Sequence, residues 1–127
     1  MAAVPSSVET LTVDCAHPEE LARFWAAALD YEIGEVGEEG GRIAAPSGHG
    51  WPVLFIVVPE GKSAKNRLHL DLRPPLSMAA EVERLKTLGA TEQRVVKEGG
   101  SFWTVMQDPE GNEFCVLRGP EDGWSPP

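Results

Sequence analysis

The stretch RLHLDL, residues 67–72, alternates polar or charged side chains with leucines, so Arg67, His69 and Asp71 share one face and Leu68, Leu70 and Leu72 the other. His69 is the candidate catalytic residue. An imidazole can take or give a proton near neutral pH, ligate a metal or hydrogen-bond a bound molecule. Asp71 faces the same way and can orient it. NEFCVL, residues 112–117, brings Glu113 and Cys115 to one face by the same parity, and VETLTVDC, residues 8–15, does so for Thr10, Thr12 and Asp14. A histidine among carboxylates suits acid–base work, whereas imidazole with thiolate suits zinc. No nucleophile or oxyanion donor is evident beside them. His69 is therefore open to three readings: a ligand-contacting pocket wall, a metal ligand, or a structural side chain with its partners satisfied.

Of the four tryptophans, Trp25 falls on a helical apolar stripe and is expected in the core. Trp51, in a Gly/Pro-rich loop, and Trp103, just after GGS, are candidates for a ligand-binding wall, with plain packing as the alternative for each. Cys15 and Cys115 stand a hundred residues apart, which makes neither a disulfide framework nor a CxxC metal knuckle, so reduced thiols are expected. A reactive thiol needs a neighbouring positive charge, and Arg67 is the candidate for Cys115. GEEGG and KEGG lack the GxxxxGK[ST] spacing that wraps a phosphate. His49, in PSGHGWP, is expected to face solvent.

Such groups need elements to hold them. VETLTVDC reads as a half-buried strand and HPEELARFWAAALDY, residues 17–31, as a helix. Pro18 suits its first turn, Glu19 and Glu20 complement its positive end, and Leu21, Phe24, Trp25, Ala28 and Leu29 form one apolar stripe. GEEGG marks a turn, and GRIAAPSGHGWPVLFIVVPE two strands around a Pro/Gly loop. RLHLDL then opens a second series as a strand. RPPLSMAAEVERLKTLGA is a breaker followed by a helix capped by Ser77, striped by Val82, Leu85 and Leu88, and stopped by Gly89. TEQRVV, SFWTVMQ and NEFCVL are further strands. The last two are joined by the turn DPEGN, where Asp108 and Asn112 suit the ends and Gly111 a positive φ. The tail RGPEDGWSPP reads as irregular, with Trp124 able to dock.

Strand–helix–strand–strand–strand thus occurs twice, and the halves rhyme: LTVDC with LHLDL, VLFIVVPE with FCVLRGPE. Neither half can bury its helix stripe and sheet face well alone. An α+β fold is expected, one domain over residues 1–127, with modules at about 8–60 and 66–118 and an irregular tail over 119–127.

A net charge of −9 repels nucleic acid and anionic membrane and favours a cationic ligand. No apolar run approaches the ~20 residues of a membrane span. The opening stretch MAAVPSSVE lacks the basic patch and apolar core of a signal peptide, so a cytoplasmic protein is expected.

With HPEELARFWAAALDY near the start, KNRLHLDL in the middle and DPEGNEFCVL near the end, the duplicated plan resembles the vicinal oxygen chelate superfamily. That group includes glyoxalase I, extradiol dioxygenases, fosfomycin-resistance enzymes and bleomycin-binding proteins, and the sequence is most similar to its compact glyoxalase-like actinobacterial members. The resemblance implies two βαβββ modules forming a curled mixed sheet around a cavity, helices on the outer face, and a homodimer. In metal-dependent members the ligands are His, His and Glu on the first strand of each half and the last strand. Those positions fall here on Thr10, His69 and Cys115, and only His69 has the expected side chain. The resulting expectation is a metal-independent small-molecule binding protein with no cofactor. Its alternative is a lyase or isomerase holding zinc, nickel or iron through His69, Cys115 and a carboxylate, Asp71 or Glu113. The pocket is expected to gather Thr10, Thr12, Asp14, Trp51, Arg67, His69, Asp71, Trp103, Glu113 and Cys115 around a cationic or aromatic ligand. Leu11, Val13, Leu70, Leu72, Phe114 and Val116 then turn toward the helices, because a one-residue slip would reverse every side chain.

Overall fold

The computed structural model describes residues 4–127; residues 1–3, where the N-terminal reading begins, lie outside the described residues. The chain divides into two compact units, Met1–Gly61 and Lys62–Pro127.

The first unit runs β1 (Leu11–Cys15), α1 (Pro18–Leu29), β2 (Glu32–Val36), β3 (Gly40–Ala44) and β4 (Val53–Val57). Its sheet has the order β1-β4-β3-β2, with β1 parallel to β4 and the other pairs antiparallel. Pro18 opens α1 with Glu19 and Glu20 in the first turn, and Asp30 ends it in the left-handed conformation (φ 57°). Most of the predicted stripe is buried: Leu21, Phe24, Trp25 and Ala28 pack on β2, β3 and β4 while Leu29 is only half-buried, and the rings of Phe24 and Trp25 meet edge to face at 5.1 Å. Register pairs Leu11 with Val53 and Val13 with Phe55, which leaves Thr12 and Asp14 on the opposite face with Leu54 and Ile56. Expected from residue 8, β1 begins only at Leu11. The Leu11 N–H donates to the Pro52 carbonyl, but Pro52 has no N–H to return, and the ladder ends there.

The second unit repeats the succession: β5 (Asp71–Leu72), α2 (Met78–Leu88), β6 (Thr91–Glu98), β7 (Ser101–Gln107) and β8 (Glu113–Val116). Its order, β5-β8-β7-β6 with β5 parallel to β8, matches the first. The tandem βαβββ plan of the α+β class therefore holds. Ser77 caps α2 by accepting the Ala80 N–H at 3.1 Å, and Gly89 stops it at a φ of 120° that a side chain would resist. Val82 and Leu85 are buried, and so is Glu81, held by Arg84 through two bonds of 2.7 and 2.9 Å. Asp108 organises the β7–β8 turn: its Oδ1 accepts the N–H groups of Glu110 and Asn112, and Gly111 takes a φ of 86°.

Two further stretches differ from expectation. RLHLDL is a strand only over Asp71–Leu72; residues 67 and 68 bend, and Leu68 is 87% exposed rather than packed. β5 is an edge strand whose partner, β8, starts at Glu113 just after the turn, so among the described residues no strand residue lies opposite Arg67 and Leu68. The tail, expected irregular, holds a 3₁₀ turn at Pro120–Asp122. Asp122 pins it, its Oδ2 accepting the N–H groups of Met78 at 2.7 Å and Gly119 at 2.9 Å. These two bonds hold the Asp122 carboxyl below the usual carboxylate range, against a smaller upward push from burial.

Candidate functional site

One row of cross-strand neighbours crosses the second sheet: Asp71 on β5, Cys115 on β8, Val105 on β7 and Arg94 on β6. Alternation puts Phe114, Val116, Thr104 and Met106 on the opposite face, where they are buried on the side packed by α2. Trp103 and Val96 pair in the next row on the face of Asp71 and Cys115. That face forms the wall of a cavity of about 580 Å³, within the range usual for small-molecule sites. His69 reaches it from the segment just before β5, fixed where the Leu70 carbonyl accepts the Cys115 N–H at 2.9 Å.

His69 Nδ1 lies 3.1 Å from Asp71 Oδ1. A proton on Nδ1 is donated to that carboxylate, which orients the ring and leaves a lone pair on Nε2. Cys115 is buried beside them. Burial, then the Asp71 charge and its hydrogen bond, push the thiol above its ordinary value despite Lys65 and Arg94, so it keeps its proton at neutral pH. Glu113 has the opposite fate. Burial pushes its carboxyl up, but the Lys62 ammonium at 2.8 Å and the Asn66 N–H at 3.0 Å outweigh that and hold it below the ordinary carboxylate value.

His69, Asp71, Trp103, Glu113 and Cys115 thus line one cavity. Arg67 does not; it stands exposed at the bend, and the cations acting on Cys115 are Lys65 and Arg94. Thr10, Thr12, Asp14 and Trp51 belong to the first unit. There Thr10 precedes β1, Thr12 and Asp14 are exposed, and Trp51 is half-exposed with its carbonyl accepting the Tyr31 hydroxyl. Sequence reasoning missed Lys65, Arg73, Arg94, Arg118 and Trp124 in the wall. Arg94 escapes the alternation because a register shift separates it from Glu92, and Arg73 meets Trp124 only through the folded tail, its guanidinium 4.0 Å above the indole.

A family model described as a glyoxalase-like domain matches residues 10–117. The chain belongs to that family. The resemblance to the vicinal oxygen chelate superfamily holds, while the sequence matches none of the curated proteins compared with it. Among solved structures, this glyoxalase-like chain is similar to a mutant of the fosfomycin resistance protein of Listeria monocytogenes complexed with Mn(II) and a dihydroxypropylphosphonic acid (TM-score 0.72, 12% identity, 91% of this chain and 92% of that one). It is likewise similar to a glyoxalase-related enzyme from Fulvimarina pelagi (0.70, 16%, 91% and 90%) and to a glyoxalase/bleomycin resistance protein/dioxygenase family enzyme from Burkholderia phytofirmans (0.69, 14%, 85% and 94%). At these identities the likeness shows the fold.

The glyoxalase-like cavity does contain donors that fit a metal. One ligand atom each from His69, Asp71 and Cys115 lie within 4.8 Å of one another, a nitrogen, an oxygen and a sulfur that together suit zinc. An ion bound there would have to displace the proton that Cys115 holds.

Proposed function

We propose that the protein is a small-molecule binding protein of the glyoxalase/bleomycin-resistance type, working in the cytoplasm as a homodimer and without a metal. The observation that carries this is the cavity of about 580 Å³ in the second unit, where an oriented His69–Asp71 pair and the Trp103 indole face the same space. The pair supplies directional hydrogen bonds and the indole a flat apolar surface, the combination by which such sites hold a ligand. Thermal-shift screening of the chain against a broad metabolite and antibiotic panel tests it. A hit whose shift is lost in His69→Ala supports the reading; no hit from the panel overturns it. Sedimentation at twice the 13.8 kDa of the chain tests the dimer.

The three-donor cluster favours a second reading, a divalent-metal lyase or isomerase. Here His69, Asp71 and Cys115 would hold the ion, which would polarise a substrate oxygen. Elemental analysis of protein purified without chelator separates the two. About one equivalent of zinc, nickel or iron, lost in both Asp71→Asn and Cys115→Ser, replaces the first reading with the second.

A further inference from the structure

The acidity of the chain is unevenly distributed. Residues 1–61 hold two of the eleven basic residues and ten of the twenty acidic ones, while residues 62–127 hold nine and ten. The cavity wall concentrates that second share further, with Lys65, Arg73, Arg94 and Arg118 against only Asp71 and Glu113. Glu113 is already neutralised by Lys62 at 2.8 Å, and Asp71 faces His69. Arg73 lies over Trp124 and donates to the Arg118 carbonyl at 2.7 Å, and Arg118 lies over Phe102. Lys65 and Arg94 have no ion-pair partner among the described residues, yet both act on the thiol of Cys115 across the cavity. A second cavity of about 550 Å³ also has both in its wall, so the two cations stand where the two spaces adjoin.

Unpaired cations above an apolar floor of Val96, Trp103 and Val105 recognise a definite chemistry. We propose that the cavity selects small organic anions, with a carboxylate or similar acidic group held by Arg94 and Lys65 and a flat apolar body laid on Trp103. The proposal rests on the binding reading above and specifies its ligand. It reverses the expectation from net charge, because a charged ligand in a recess responds to the wall within a Debye length more than to the whole chain.

Calorimetry on the full chain with naphthoate, naphthamide and naphthylmethylammonium tests it. Naphthoate should bind about tenfold more tightly than naphthamide, as a charge-assisted pair does over a neutral one, and the cation most weakly. Arg94→Gln and Lys65→Gln should each remove most of that preference, weakening naphthoate far more than naphthamide. Lys97→Gln, the same charge change at an exposed site farther along β6, should leave all three affinities as they are. Trp103→Leu, which keeps an apolar side chain on the sheet, should weaken naphthoate and naphthamide alike. Binding of naphthamide that depends on Trp103 without any preference for naphthoate overturns the anion inference alone. Equal or tighter binding of the cation, or equal effects of Arg94→Gln and Lys97→Gln, does the same. Binding of none of the three at millimolar concentration overturns both the inference and the binding reading.

Discussion

At the scale of single residues, the second unit is held by a few groups whose loss has calculable direction. The folded state depresses the Glu113 carboxyl through Lys62 and Asn66, so it contributes stability that is complete above the ordinary carboxylate value and is lost as pH falls through the folded one. Asp122 adds to the same trend, since its carboxyl is depressed as well. The urea midpoint should therefore be level above about pH 5 and fall below about pH 4.5, with a shallower fall in Glu113→Gln. An unchanged profile in that variant would show that the Lys62 pair has no part in acid stability. Gly119 gives a steric prediction. Its φ of −103° suits any residue, but a Cβ there would run into the carbonyl group of Leu76, which is backbone and cannot swing aside. Gly119→Ala should cost about 1–3 kcal/mol, as overpacking does, and should free the tail that carries Trp124. A melting temperature equal to that of the parent chain would refute this.

At the scale of elements, the β7–β8 turn decides which face Glu113 and Cys115 occupy. Asp108 closes it by accepting from Glu110, from the Asn112 backbone and from the Asn112 side chain at 2.9–3.0 Å. Asp108→Ala leaves those donors to water and should cost about 2 kcal/mol, with Asp108→Asn recovering part of the loss because one acceptor remains. Urea unfolding measures both, and equal stability of Ala and Asn at this position would show that the turn does not depend on these bonds. This element was legible in DPEGN because turn chemistry is local. So were the helix bounds set by Pro18, Ser77 and Gly89, and the parity that brings Asp71 and Cys115 side by side. The cations were not legible. Arg94 reaches the cavity face only through the register shift after Glu92, and Arg73 meets Trp124 through a tail with no periodic pattern. The full length of RLHLDL misled for a related reason, since alternation shows where side chains would point but not where the partner strand begins.

At the scale of the whole molecule, the repeat was readable because the same succession of hydrophobic periods recurs. The distribution of charge was hidden because a sum of −9 does not say which half carries it. The glyoxalase-like match runs from residue 10 to residue 117 and so takes in both units, and we propose that the two make up one domain. Each unit is near the size at which a single module buries only about 60% of the surface its unfolded chain exposes, which makes it marginal by itself. A single domain then predicts that neither unit outlives the other. Heat should unfold the full chain in one transition, with far-ultraviolet circular dichroism and tryptophan fluorescence coincident. Hydrogen exchange sharpens the test, because peptides covering Pro18–Leu29 and Met78–Leu88 report the two helices separately. Their slowest amides should open with the same free energy, and that value should equal the global one from urea. Two resolved transitions, or one helix exchanging freely while the other stays protected, would show that the repeat built two independent domains.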